Sequence, residues 1–174
     1  MKRGTIRLER PSQRRAQEFL AAVRRSRRLH SSWVSPPGTA AAYRDYLRRV
    51  RRSTHAGYFV CREDSGELAG VVNISEIVRG NFDSAYLGYY AFAPHAGQGL
   101  MAEGLARVVG EASRRLGLHR LEANIQPRNT ASRRLVRRLG FRREGFSRRY
   151  LRVAGRWRDH ERWTILAEDW RRSV

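Results

Sequence analysis

The sequence has almost no lysine: of its 36 basic residues only Lys2 is one, and the other 35 are arginine. Acid is scarce too, with 16 Asp and Glu, which leaves a formal net charge of +20 at pH 7. A single cysteine, Cys61, excludes an internal disulfide and points to a reducing compartment. No apolar run approaches the roughly 18 residues of a membrane span. The start, Met-Lys-Arg-Gly-Thr-Ile-Arg, is basic but lacks the apolar core of a secretory signal. A soluble, cytoplasmic protein with no membrane partner is therefore expected. His30, His55, His95, His119 and His160 form no ligand spacing with Cys61, and no Ser–His–Asp constellation is legible, so no metal is expected.

The 174 residues fit one domain over residues 1–174, long enough to bury a core without disulfides or metal. The charge has two readings. Arginine binds phosphate bidentately, which suits RNA or another polyanion. A GC-rich genome also turns surface lysines into arginines; that explains the arginine-to-lysine ratio but not the net +20.

The chain is organised around residues 87 to 117. An apolar, aromatic strand, Leu87 to Phe92, runs into a turn at Pro94. Gly97 and Gly99 follow, and a helix opens whose Met101, Leu105, Val108, Ala112 and Leu116 share a buried face. Gly117 stands where a left-handed helix cap belongs. Strand, glycine turn and helix form a device for holding phosphate. The first helical N–H groups have no intrahelical partner and lie at the positive end of the helix dipole. Glycines let an anion reach them. The structural alternative is a turn that merely needs small residues.

Elsewhere, Thr5 to Arg10 reads as a strand, and Ser12 as the N-cap of a helix with Ala16, Phe19, Leu20 and Val23 inward. The loop Ser31 to Gly38 carries Trp33, which either plugs the core edge or walls an acceptor pocket. A second helix follows Thr39. Gly57 to Arg62 and Glu67 to Ile77 form a hairpin about Glu63-Asp64-Ser65-Gly66. His119 to Gln126 alternates, with Glu122, Asn124 and Gln126 on one face and Leu121, Ala123 and Ile125 on the other. Asn129 caps a helix that runs to Leu139 and closes at Gly140. Phe141 to Val153 and Trp157 to Leu166 form a closing hairpin. Strands interleaved with helices make a mixed α/β sandwich.

The glycine turn, Asn129-x-x-Ser132 and Leu139-Gly140-Phe141, in this order, resemble the GCN5-related N-acetyltransferase superfamily. Arg79-Gly80, Tyr86-Leu87-Gly88-Tyr89, Gly97-x-Gly99-Leu100-Met101, His119-Arg120 and Trp157-Arg158-Asp159-His160 extend the resemblance to the bacterial ribosomal-protein N-terminal acetyltransferases, and most closely to the branch that modifies an N-terminal alanine. The resemblance implies an α/β (α+β) fold, with a mostly antiparallel sheet of six to seven strands flanked by about four helices. It also implies acetyl-CoA as cosubstrate. By the family's pattern, Gly97, Gln98, Gly99, Leu100 and Met101 would hold the CoA pyrophosphate, and the backbone of Tyr90, Ala91 and Phe92 would pair with pantetheine. Asn129 would cap its helix and bond the same arm, and an N–H near Phe92 would meet the oxyanion. Two positions depart. The Arg or Gln ahead of the first glycine is Ala96 here, which leaves His95 as a possible replacement. The tyrosine many relatives place on the last helix falls at Val136.

The resemblance thus leaves Ser132 as the group that would hydrogen-bond the leaving sulfur; the alternative is a simple helix-cap serine. Glu122 is the expected base or amine anchor, with a surface carboxylate paired to arginine as its alternative. The implied acceptor is a protein N-terminus, that of a ribosomal protein, with the basic surface docking near rRNA. A small amine such as an antibiotic, polyamine or amino acid is the second reading, which the few, dispersed acids disfavour. A non-enzymatic RNA-binding module is the third.

Overall fold

The computed structural model describes residues 5–173; Lys2 and the rest of the basic start to Gly4 lie outside the described residues. Seven strands form one sheet: β1 (Ile6–Glu9), β2 (Ala56–Arg62), β3 (Leu68–Val78), β4 (Ser84–Ala91), β5 (Arg120–Ile125), β6 (Arg142–Val153) and β7 (Arg156–Leu166). Their order is β1-β2-β3-β4-β5-β7-β6. Every neighbouring pair is antiparallel except β4 and β5, which run parallel. Among the described residues there are six α-helices: α1 (Ala16–Arg25), α2 (Arg27–His30), α3 (Ala40–Val50), α4 (Leu100–Arg114), α5 (Thr130–Arg138) and α6 (Ala167–Ser173). The expected four are present; α2 and α6, both short, are additional.

Both faces of the inner strands are covered, so β2 and the first half of β3 are buried along their length. On one face α1 and α3 dock through an aromatic cluster. Phe19 lies 4.7 Å from Tyr43 and meets Phe92 edge-on at 5.7 Å. Phe19, Tyr43 and Phe59 are fully buried. Each is worth about 1.5–3 kcal/mol of burial, which explains how helices so rich in exposed arginine stay seated. On the other face α4 packs Leu105, Val108 and Ala112 against Val60, Val72 and Leu87. A Cβ on Gly104 would sit 2.5 Å from Val60 Cγ2, and one on Gly70 would sit 2.2 Å from Met101 Sδ. The two glycines thus bring the start of α4 down onto β2 and β3.

The alternation expected in β5 is present: Leu121, Ala123 and Ile125 are buried toward α4, and Glu122 and Asn124 face the other way. Gly117 and Gly140 have φ of +62° and +87°, as their places after α4 and α5 require. Thr39 caps α3 by accepting from Ala42 N at 3.2 Å. Ser12 is a correction. It precedes a 3-10 turn, Gln13–Arg15, with no side-chain capping bond. Arginine organises this corner instead: Arg15 donates to both Glu9 oxygens, at 3.0 and 2.8 Å, and to Gly66 O at 3.0 Å. These contacts clamp β1, α1 and the β2–β3 turn together.

Candidate active site

Strands β4 and β5 stay paired for only three residues, Ser84, Ala85 and Tyr86 against Arg120, Leu121 and Glu122. Beyond them β4 keeps its register with β3 and β5 keeps its register with β7. The sheet therefore opens between β4 and β5, and the open edge of β4 leads directly to the glycine turn. Among the described residues no group of three or more His, Cys, Asp or Glu could hold a metal.

Gly97 and Gly99 both have φ of +82°, and a Cβ on either would meet nothing within 4 Å. The positive φ makes glycine the residue of least strain there, and the space above both is clear. Gly99 is the N-cap of α4 and supplies no side chain to it. The N–H groups of Leu100 and Met101 have no intrahelical acceptor. Leu100 is buried and the Met101 side chain reaches over Gly70, so both present main chain to the turn. The Gln98 side chain folds back, donating to Pro94 O at 3.2 Å and accepting from Arg62 at 3.4 Å. Arg62, whose other two nitrogens are held by the Asp64 carboxylate, thereby brings a guanidinium edge to the turn that the sequence did not reveal. His95 is buried 3.6 Å from Glu67, so its ring is turned toward the end of the β2–β3 hairpin.

The backbone of Tyr90 to Phe92 divides between two edges. Phe92 N donates to Ala69 O at 2.8 Å, and Tyr90, two residues back, faces β3 as well. The amide of Phe92 itself is therefore engaged within the sheet, and its neighbour Ala91 is the residue of the three that faces the opening. Its carbonyl accepts from His30 Nε2 at 2.7 Å, and Ala93 N donates to Ser26 Oγ at 2.9 Å. The junction of α1 and α2 thus fixes the end of β4. Burial pushes the His30 imidazole below its usual pKa, against the bond to Ala91, so the ring holds this strand in its neutral form.

Across the opening, Asn129 Oδ1 caps α5 by accepting from Ser132 N at 3.2 Å. Ser132 Oγ meets the Tyr89 hydroxyl. Sequence reasoning named Tyr89 only within the stretch Tyr86-Leu87-Gly88-Tyr89 and assigned it no role. Burial pushes its phenol well above the usual value, against the bond to Ser132, so it stays protonated and able to donate. Val136 is fully buried, so no hydroxyl comes from that position.

Behind this pair stands Glu161, another residue sequence reasoning missed. It is buried, accepts from Trp163 Nε1 at 3.0 Å, and lies 2.9 Å from Arg133 Nε and 3.4 Å from Arg143 Nε. A carboxylate is tolerated there because cations and an indole surround it. It ties the residue after Ser132 to β7. Glu122 lies on the opposite face, its side chain 13% exposed and 3.4 Å from Arg120. Arg120 also grips Glu144 at 3.1 and 2.6 Å, so Glu122 shares its arginine. Trp33 is half-buried, in a loop held to the end of β5 by Gln126 Nε2 donating to Ser32 O at 2.8 Å.

A family model described as Acetyltransferase (GNAT) domain matches residues 5–142. The chain belongs to that family. Relatives of this GNAT domain include the probable N-acetyltransferase YjcK of Bacillus subtilis, 36% identical over 72% of this chain and 69% of that protein. The [ribosomal protein uS5]-alanine N-acetyltransferase of Escherichia coli is 41% identical over 62% of this chain, and the match spans 55%, about half, of that enzyme's length. The structure of Mycobacterium smegmatis RimJ in complex with CoA-disulfide superposes with a TM-score of 0.86 at 26% identity, covering 94% of this chain and 83% of that one. The chain is therefore a GNAT N-acetyltransferase, and its relatives include enzymes of the ribosomal-protein branch.

GNAT acetyltransferases use acetyl-CoA. The residues of this site fit such a molecule. An uncapped helix start, two glycines with clear space, an arginine and an open strand edge are what a diphosphate on a long amide arm requires.

Proposed function

We propose that residues 1–174 act as one N-acetyltransferase domain that uses acetyl-CoA to modify the α-amine of a ribosomal protein beginning with alanine. The observation that carries this reading is the pairing of Tyr89 with Ser132 across the opening from the uncapped start of α4. The acceptor class is supported by the 41% identity to the E. coli enzyme that modifies uS5. Such an acceptor places the protein in the cytoplasm, and the +20 charge suits docking near rRNA.

Acetyl-CoA supplies a thioester whose acyl carbon is open to attack by a neutral amine. The N–H groups of Gly97 to Met101 hold the diphosphate, with Arg62 beside them, and the Asn129 side-chain amide, whose oxygen is spent on the cap, bonds the arm. The Ala91 N–H faces the opening and meets the acyl oxygen. An α-amine of pKa about 7.7–8.0 costs only about 1 kcal/mol to deprotonate at pH 7, against roughly 4.6 kcal/mol for a lysine. The base can therefore be weak, and Glu122, shared with Arg120, anchors the amine or takes its proton through water. Ser132 Oγ–H stabilises the leaving sulfur, and Tyr89 O–H donates to Ser132 in turn.

The test is acetyl transfer to synthetic peptides carrying the N-termini of ribosomal proteins, read by mass spectrometry. We expect one acetyl group on the α-amine of an alanine-starting peptide. Exclusive modification of polyamines or other small amines would overturn the acceptor.

A further inference from the structure

The positive charge is not spread evenly along the chain. Residues 128 to 159 hold twelve arginines against two acids, Glu144 and Asp159, and so carry half of the net +20. Neither acid neutralises an arginine side chain of this stretch. Glu144 is gripped by Arg120 of β5, and Asp159 accepts from the main-chain N–H of Arg149 at 2.7 Å. Glu161 takes Arg133 and Arg143. Among the described residues the other ten arginines of the stretch form no ion pair, and all but Arg158 are exposed.

Arginine on an outer strand also keeps two sheets from pairing edge to edge, and β6 is the outermost strand. That purpose needs no exposed aromatic rings, yet Phe146 is 46% and Trp157 62% exposed. Phe146 stands opposite Glu161, and Arg152 opposite Trp157. Trp157 and Glu161, four apart in β7, share a face, the one on which Glu161 meets Arg133 of α5. Both rings and Arg152 therefore lie on the side of the hairpin that carries α5, whose Arg134, Arg137 and Arg138 are exposed. The 12 residues of β6 give this face a length of up to about 40 Å. Rings set among unpaired guanidinium groups make a stacking platform in a cationic track. A ring offers its face to a base, and an arginine meets a phosphate bidentately. A second copy of the chain would bring like charge against like charge here.

We propose that the β6–β7 hairpin and the exposed side of α5 form a docking surface for an unpaired strand of RNA. Trp157 and Phe146 stack on bases, and Arg137, Arg138, Arg148 and Arg152 hold phosphates. The surface is separate from the start of α4 and has no part in holding CoA. RNA, and not DNA, is the source because the acceptor proposed above is a ribosomal protein; that choice alone rests on the acetyl-transfer reading.

Fluorescence anisotropy with a labelled, unstructured RNA of about 16 nucleotides tests it, with acetyl-CoA affinity by calorimetry as the check on the fold. Trp157→Ala should weaken RNA binding at least about fivefold, and Trp157→Phe should restore most of it. Arg137→Gln with Arg138→Gln should make the slope of log affinity against log salt shallower by about 1.4. Arg51→Gln with Arg52→Gln, at the end of α3, removes the same charge elsewhere and should leave RNA affinity within about twofold. Acetyl-CoA affinity should stay within about twofold in every variant. Equal losses from the α3 and α5 pairs would reduce the effect to overall charge and overturn the surface. So would unchanged binding by Trp157→Ala, competition by polyglutamate as strong as by RNA, or tighter binding of a DNA strand of the same sequence. A protein that binds RNA in this way yet acetylates no ribosomal peptide would keep the surface and overturn the acceptor.

Discussion

Helices α3 and α5 start on a side-chain oxygen, Thr39 Oγ1 and Asn129 Oδ1, each 3.2 Å from the N–H it receives. Helix α4 starts on Gly99, which has no side chain to offer, with open space above it. All three ends have the same unsatisfied amides and the same dipole. At α3 and α5 a side chain satisfies one of those amides; at α4, as at α1 and α2, none does, and what sets α4 apart is the positive φ and clear space at Gly97 and Gly99 before it. The α5 end is intermediate: it is capped, yet the residue whose N–H is capped also presents its hydroxyl to Tyr89. A side-chain cap and an anion site compete for the same N–H groups, so under the function proposed above a cap on α4 would be a defect.

Substitutions at these ends separate the two uses. The largest effect is expected from Gly99→Glu, which puts a charged side chain over the open end at a positive φ. Acetyl-CoA affinity should fall at least about 100-fold, and unchanged affinity by calorimetry would show that α4 is not the phosphate site. Ser132→Ala should come next, lowering kcat about tenfold, roughly 1.4 kcal/mol, with acetyl-CoA affinity intact. An unaltered rate would reduce Ser132 to a helix residue. Thr39→Ala should cost about 1 kcal/mol of stability, a Tm drop of about 2–4 °C, and leave acetyl-CoA affinity alone. Asn129→Ala should cost a similar amount and weaken acetyl-CoA as well, and equal behaviour of the two variants would erase the distinction between α3 and α5.

The smallest difference is expected in acid. Burial holds the pKa values of His30, His55 and His160 below their ordinary 6.5, so the unfolded chain binds more protons than the folded one as pH drops. Stability is retained in full above about pH 6.5 and lost as pH falls from there through the folded values. Neither cap titrates. Thermal melts of wild type and Thr39→Ala across pH 5 to 8 should therefore run parallel, within about 0.5 kcal/mol, and convergence would show that the cap is coupled to the histidines.

Much of this site could be read from the sequence because its signals are short-range. The glycines before α4, the Asn129 cap three residues from its target and the alternation in β5 all lie within one turn or one strand. Residues joined by topology were not legible. Tyr89 and Ser132 are 43 residues apart, and His30 and Ala91 are 61 apart; nothing local marks either pair. Glu161 reads as an exposed strand acid until β7 is placed against Arg133 of α5. Helix α6 follows β7 with no glycine or proline between them, so its start has no punctuation. Ser12 failed as a cap because Arg15, drawn to Glu9, sets the geometry of that turn.

The short parallel contact between β4 and β5 also bears on traffic through the enzyme. Tyr89 and Ser132 lie toward α4 and α5, whereas Gly88 and Asn124 lie on the reverse side of the same gap. The unpaired stretch has two faces lined by different residues, so what reaches it from one side of the sheet need not pass what reaches it from the other.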